Sequence, residues 1–253
     1  MSKYKMSKDY GLSFIGNEDL FFHVKETIEK YRFKINLKEF NKNLVDPIKL
    51  TFDARIYGKS LEEIIETESL RQIDKSNTNH IGYFHQNIFK YLGNGWEVPD
   101  KGYDVINKDK HLFIEMKNKH NTMNSSAAQK TYMKMQDKIL RNDEAICYLV
   151  EVIAKNSQDI TWKVSLDGEQ LSNKRIRRIS MDKFYQLVTG FENSFKELCQ
   201  VLPSVIDDVI SSVDMGIIEG SVFAELQDIS PDLLKSIYLL SFKKYQGFSE
   251  LTL

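Results

Sequence analysis

Asp104, Glu115 and Lys117 are the residues whose types and spacing can do chemistry, in the stretch "VPDKGYDVINKDKHLFIEMKNKHN" from Val98 to Asn121. Two carboxylates brought close repel each other unless a cation sits between them. Oxygen ligands of this kind suit magnesium, which keeps several waters and binds the phosphate oxygens of a substrate. The main-chain carbonyl of Met116, between Glu115 and Lys117, adds a third oxygen. A lysine beside such a group orients a water, or stabilises charge developing on phosphorus as it is attacked. Acids, metal and lysine together make a site for phosphodiester hydrolysis. The bland alternative is a strand-opening aspartate beside a surface ion pair worth ~0–1 kcal/mol.

What must position these residues is a hairpin. Directly opposed residues of an antiparallel pair share a face. Opposing Asp104 to Glu115 opposes Ile106 to Phe113 and leaves Lys108–His111 as a four-residue turn. Val105, Leu112, Ile114 and Met116 then fall on one apolar face, and Asp104, Glu115, Lys117 and Lys119 on the other. Pairing and alternation agree, which is what specifies a register.

Gly102-Tyr103-Asp104-Val105, followed by Glu115-Met116-Lys117, resembles the PD-(D/E)xK nuclease superfamily. A literal Pro99-Asp100 is present too, but Asp100 lies in the approach loop, and Asp104 opens the strand. The wider string "WEVPDKGYDVINKDKHLFIEMKNKHNTMNSSAAQKTYMKMQ", with "NHIGYFHQNIFKYLG" and "ISMDKFYQLVTG", is similar to type II restriction endonucleases that cut GGNCC and close variants. The resemblance implies a restriction-endonuclease-like α/β (α+β) fold, with a mixed central sheet flanked by helices. It also implies Mg2+ held by Asp104, Glu115 and Met116, double-stranded DNA as partner, and cleavage that leaves 5′-phosphates. A palindrome cut on both strands is most simply served by a homodimer. A cognate DNA methyltransferase is the expected functional partner. In the superfamily a glutamate often stands on the helix before the hairpin, one turn after a glycine. Here Gly82 is followed by Gln86, a neutral residue that can orient a water or a ligand. Two other readings stand beside this one: a structure-specific repair or recombination nuclease of the same fold, and a DNA-binding module without catalysis.

Candidate DNA contacts are Asn118, Lys119, His120 and Asn121, which leave the second strand, and Arg175 and Arg177. In "KRIRR" the residues alternate, so Lys174 and Arg178 share a side with Ile176 while Arg175 and Arg177 point the other way. Bidentate arginine suits guanine. Lys130, Lys134 and Lys138 read as a solvated helix face opposite Ala128, Tyr132, Met135 and Ile139. His80 and His85 lack the same-face spacing of a zinc pair, and Cys147 reads as core.

The remaining elements frame the hairpin. Asn17 is expected to cap a first helix, and Ser60 with Glu63 has capping-box spacing for a second. The polar run "DKSNTNH" is expected to separate that helix from "IGYFHQNIFKYLG". Asn124 caps a helix over "NSSAAQKTYMKMQDKIL", then "EAICYLVEVIA", "ITWKVSL" and "KRIRRIS" read as strands. From Met181 onward the pattern is helical, with Pro203 and Pro231 as expected breaks. A single domain is expected over the 253 residues, with its catalytic core at about 79–180 and helical elaborations at 1–78 and 181–253.

Composition agrees with a globular chain and excludes little more. Lys and Arg number 35 against 36 Asp and Glu, so the net charge of −1 does not mark a nucleic-acid binder. The distribution says more: lysines crowd Lys101–Lys138, while Asp207–Asp232 carries acids and no lysine or arginine. The longest apolar run is broken by Glu151 and is too short to span a bilayer. Two distant cysteines and no signal-like opening point to a reducing cytoplasm and no membrane.

Overall fold

The structure is a computed structural model describing residues 8–213 and 221–242. Four helices come first: α1 (Asn17–Lys30), α2 (Leu37–Asn41), α3 (Pro47–Tyr57) and α4 (Leu61–Asn87), the last followed by a 3-10 turn. Strands β1 (Trp96–Glu97), β2 (Val105–Asn107) and β3 (Leu112–Lys119) lead into α5 (Ser125–Arg141). Then come β4 (Ile146–Ile153), β5 (Asp159–Leu166) and β6 (Glu169–Ser180). Helices α6 (Met181–Thr189), α7 (Ser194–Ser212), α8 (Val222–Ile229) and α9 (Leu233–Phe242) complete the described chain.

The described residues divide into two compact units, one of 8–29 and 81–213, the other of 30–80 and 221–242. The first holds a six-stranded mixed sheet in the order β1-β2-β3-β4-β6-β5. β3, β4 and β6 run parallel at its centre, and β1–β2–β3 and β5–β6 pair antiparallel. This is the mixed sheet flanked by helices that the sequence implied. The second unit is helical, with its own core of Phe40, Leu50, Ile64, Ile65, Leu226 and Ile237.

Both faces of the sheet are covered. On one, Val105, Ile114, Met116, Tyr148, Val150 and Ile179 pack with residues of α1, α6 and α7. On the other, α5 lays Tyr132, Met135 and Ile139 over Phe113, Cys147, Leu149 and Ile176. Central parallel strands are normally buried on both sides. The second hairpin face is therefore interior, where the charge alternation had suggested a single core face.

Three local expectations are corrected. The polar run 74–80 does not break the helix: α4 is continuous because it contains no proline and its first glycine is Gly82. Asn77 turns its amide outward, donating to the Arg32 carbonyl (3.0 Å) and accepting from the Arg32 N–H (2.9 Å). Pro203 lies inside α7, where Leu198, Val205 and Val209 hold the buried stripe across it. Asn17 begins α1, and its side chain accepts from the Tyr10 N–H, leaving no cap role. The capping box holds: Ser60 N–H donates to Glu63 (2.8 Å) and Glu63 N–H to the Ser60 hydroxyl (3.2 Å). Asn124 caps α5 by accepting from the Ala127 N–H. Of the acidic stretch, residues 214–220 lie outside the described residues.

Candidate active site

The hairpin has the expected register. Val105 pairs with Ile114, Ile106 with Phe113 and Asn107 with Leu112. Asn107, fully buried, shapes the turn by accepting from the Lys110 N–H (3.0 Å) and donating to the Asn94 carbonyl (2.8 Å). Gly102 has φ +99°, a conformation side-chain-bearing residues rarely adopt, and it aims the chain into Asp104.

Asp104 stands where β2 runs out. Its N–H donates to the Ile114 carbonyl (2.9 Å), and its carboxylate accepts from the Met116 N–H (2.7 Å). The aspartate thus replaces the missing β2 backbone beside Met116. In a strand the N–H and C=O of one residue point to the same side. The Met116 carbonyl is therefore turned toward Asp104 too, and it accepts from Lys117 Nζ (3.0 Å).

Glu115 is 8% exposed and bracketed by two ammonium groups. Lys117 Nζ stands 3.9 Å from Oε2, and Lys134 Nζ bonds Oε1 directly. Burial pushes the Glu115 carboxyl above its ordinary range; the Lys134 bond opposes this, and the Asp104 charge adds to it. Lys134 also donates to the Gly102 carbonyl (2.6 Å) and lies 4.4 Å from the Tyr103 ring centroid. The face of α5 expected to be solvated instead puts Lys134 on a carboxylate and Lys138 over the Phe113 ring.

The oxygen set of Asp104, Glu115 and the Met116 carbonyl fits a hard divalent cation. Among the described residues no three His, Cys, Asp or Glu side chains converge as a cage. Magnesium needs none, because it keeps several of its waters.

Register extends the site across the sheet. Glu115 pairs with Leu149 and Leu149 with Arg178; Lys117 pairs with Glu151 and Glu151 with Ser180. Paired positions share a face, so Arg178 and Glu151 belong to the carboxylate face. Glu151 is fully buried, its Oε1 accepts two bonds from Arg178, and among the described residues its Oε2 has no hydrogen-bond partner. Arg178 also donates to the His120 carbonyl (3.2 Å), fixing the loop that leaves β3. Sequence reasoning passed over Glu151, although a charge within an apolar strand was its signal.

The other expected residues divide. Asn118 lies against Gly82 of α4, whose added Cβ would meet the amide at 3.8 Å. Gln86, four residues on, shares the Gly82 face of the helix. Lys119, His120 and Asn121 are exposed at the carboxyl end of β3. Arg175 and Arg177 are not brought to the site. Arg177 pairs with Tyr148 and so faces the other side of the sheet, where it binds Asp159 at 2.6 and 2.8 Å, while Arg175 bonds the Asp143 carbonyl in the turn before β4.

The family model described as Eco47II restriction endonuclease matches residues 12–211, a span containing every residue of the candidate site. The chain is 34% identical to the type II restriction enzyme Sau96I of Staphylococcus aureus over 213 residues, 79% of this chain and 82% of that protein. It is 30% identical to the type II restriction enzyme Eco47II of Escherichia coli over 213 residues, 79% of this chain and 88% of that protein.

Proposed function

Because the chain belongs to the Eco47II restriction endonuclease family, we propose that it is a magnesium-dependent type II restriction endonuclease that cuts both strands of a short palindromic GGNCC-like DNA site. The observation that carries this reading is local. Asp104 accepts from the Met116 N–H, and the Lys117 ammonium bonds the Met116 carbonyl and stands 3.9 Å from Glu115.

Asp104, Glu115 and the Met116 carbonyl would hold the cation, which supplies Lewis-acid stabilisation of the phosphate charge. Lys117 donates to and orients the attacking water, whose proton passes to solvent. The water oxygen bonds to phosphorus and the bond to the 3′-oxygen breaks. A 5′-phosphate and a 3′-hydroxyl result. Gln86, on the helix face shared with Gly82, orients a water from the other side.

Asn118, Lys119, His120 and Asn121 leave β3 toward the flanking DNA, with Arg178 holding the loop through the His120 carbonyl. Arg177 contacts DNA where the duplex reaches the second face, and Arg175 contacts it beside the turn before β4. The palindrome calls for a homodimer, and a cognate methyltransferase protects the host's own sites. The enzyme acts in the cytoplasm; among the described residues no helix is long and apolar enough to cross a membrane.

The test is plasmid DNA incubated with magnesium and with chelator, using wild type and Lys117→Ala. Discrete, magnesium-dependent fragments are expected from wild type, with at least ~100-fold less cleavage by the variant. Equal cleavage by the variant would overturn the assignment of Lys117. Cleavage of branched DNA only would favour the structure-specific reading.

A further inference from the structure

We propose that Lys134 is the resident counter-ion of the carboxylate pair: it bonds one oxygen of Glu115, the acid that would hold the divalent cation, and it withdraws when the cation binds. The proposal rests on the magnesium reading above and assigns a positioning role to a lysine outside the motif.

The two lysines on Glu115 are unequal. Lys134 Nζ contacts Oε1 directly, whereas Lys117 Nζ is 3.9 Å from Oε2 and makes its nearer bond, 3.0 Å, to the Met116 carbonyl. Lys134 is also mounted differently. It projects from α5, so it can withdraw without disturbing the hairpin register that sets Asp104 against Glu115. It has somewhere to go as well. The Gly102 carbonyl at 2.6 Å and the Tyr103 ring at 4.4 Å remain as partners once Glu115 is released. The aromatic face attracts an ammonium group without requiring an anion.

A divalent ion and an ammonium on the same carboxylate repel each other, and Glu115 is too buried for salt to screen the repulsion well. Cation and lysine therefore compete for one carboxylate, and the lysine sets how much metal the site needs. Removing its charge deletes the competitor and leaves the pair more negative.

Binding is read without cleavage by titrating Mn2+ into the intact protein and following the free ion by electron paramagnetic resonance. Lys134→Met is expected to tighten Mn2+ binding about tenfold or more, equivalent to about 1.4 kcal/mol. Lys134→Arg, which keeps the charge, is expected to stay within about threefold of wild type by the same electrostatic argument. Lys134→Gln repeats the neutralisation should the methionine variant misfold. Unchanged or weaker Mn2+ binding in a folded, charge-neutral variant overturns the proposal. Asp104→Asn separates this failure from failure of the metal reading: it should abolish Mn2+ binding. Wild-type binding by Asp104→Asn would overturn the metal site itself, and the lysine's role with it.

Discussion

The two faces of the central sheet are built from the same three strands and solve different problems. On one, Ile114, Met116, Tyr148, Val150 and Ile179 stay apolar, closed by Leu20, Phe184, Tyr185 and Val205 among others. On the other, Phe113, Cys147 and Ile176 begin apolar, and within two to four residues each strand turns to charge: Glu115 and Lys117, Glu151, Arg178. Burying a charge costs several kcal/mol unless it is paired. Each buried acid here has a cation in contact, Lys134 for Glu115 and Arg178 for Glu151. The more apolar face carries stability, which lets the half-charged face be arranged for chemistry.

The largest expected effects pull the faces apart. Glu115→Gln should lower cleavage at least ~100-fold, the scale of a lost electrostatic contact in a reacting site, while the urea midpoint holds. Its neighbour Ile114→Ala should cost about 2–5 kcal/mol of stability yet cleave normally per folded molecule. Plasmid assays beside urea melts check both, and equal unfolding by the two variants would erase the division.

A titratable group stands beside Phe84 of the apolar cluster. Burial holds His85 at about 4, and among the described residues its Nδ1 has no hydrogen-bond partner. The folded protein then binds this proton less tightly than the unfolded chain. Stability from the neutral ring is complete above about pH 6.5 and is lost as pH falls toward 4. At pH 5 the loss is about 2 kcal/mol. His85→Leu should flatten that window in urea melts at pH 7 and pH 5; an unaltered slope would assign acid sensitivity to other groups.

The smallest effect sharpens which face DNA meets. Arg178→Ala is expected to reduce the salt slope of DNA binding by about one. Arg177→Ala should reduce it less, since Arg177 lies on the sheet face away from Glu115. Equal losses would bring DNA to both faces.

What could be read in the sequence was local. Asp104, Glu115 and Lys117 were legible because hairpin alternation and a four-residue turn fix one register. The Ser60–Glu63 box and the Asn124 cap were legible because caps act within one turn. Lys134 was not, since its partner depends on how α5 packs over β3. The sides that the arginines take were not legible for a related reason. Sharing a side with apolar Ile176 suggested that Arg178 faced inward and its neighbours outward, but both sides are interior. Parity with Glu115 appears only through the β3–β4–β6 pairing, a tertiary fact. The polar run 74–80 misled because Asn77 used its amide on Arg32 rather than to end a helix.

Asp104 binds the backbone of Met116, and the proposed third ligand is that residue's carbonyl. A side-chain scan is blind to such a ligand. Met116→Leu should pass as a conservative core exchange, since the Met116 side chain lies in the apolar cluster. The position can drift among apolar residues of similar volume without altering the oxygen it presents. Asp104 has no such freedom, because it serves at once as an acid and as the missing length of a strand.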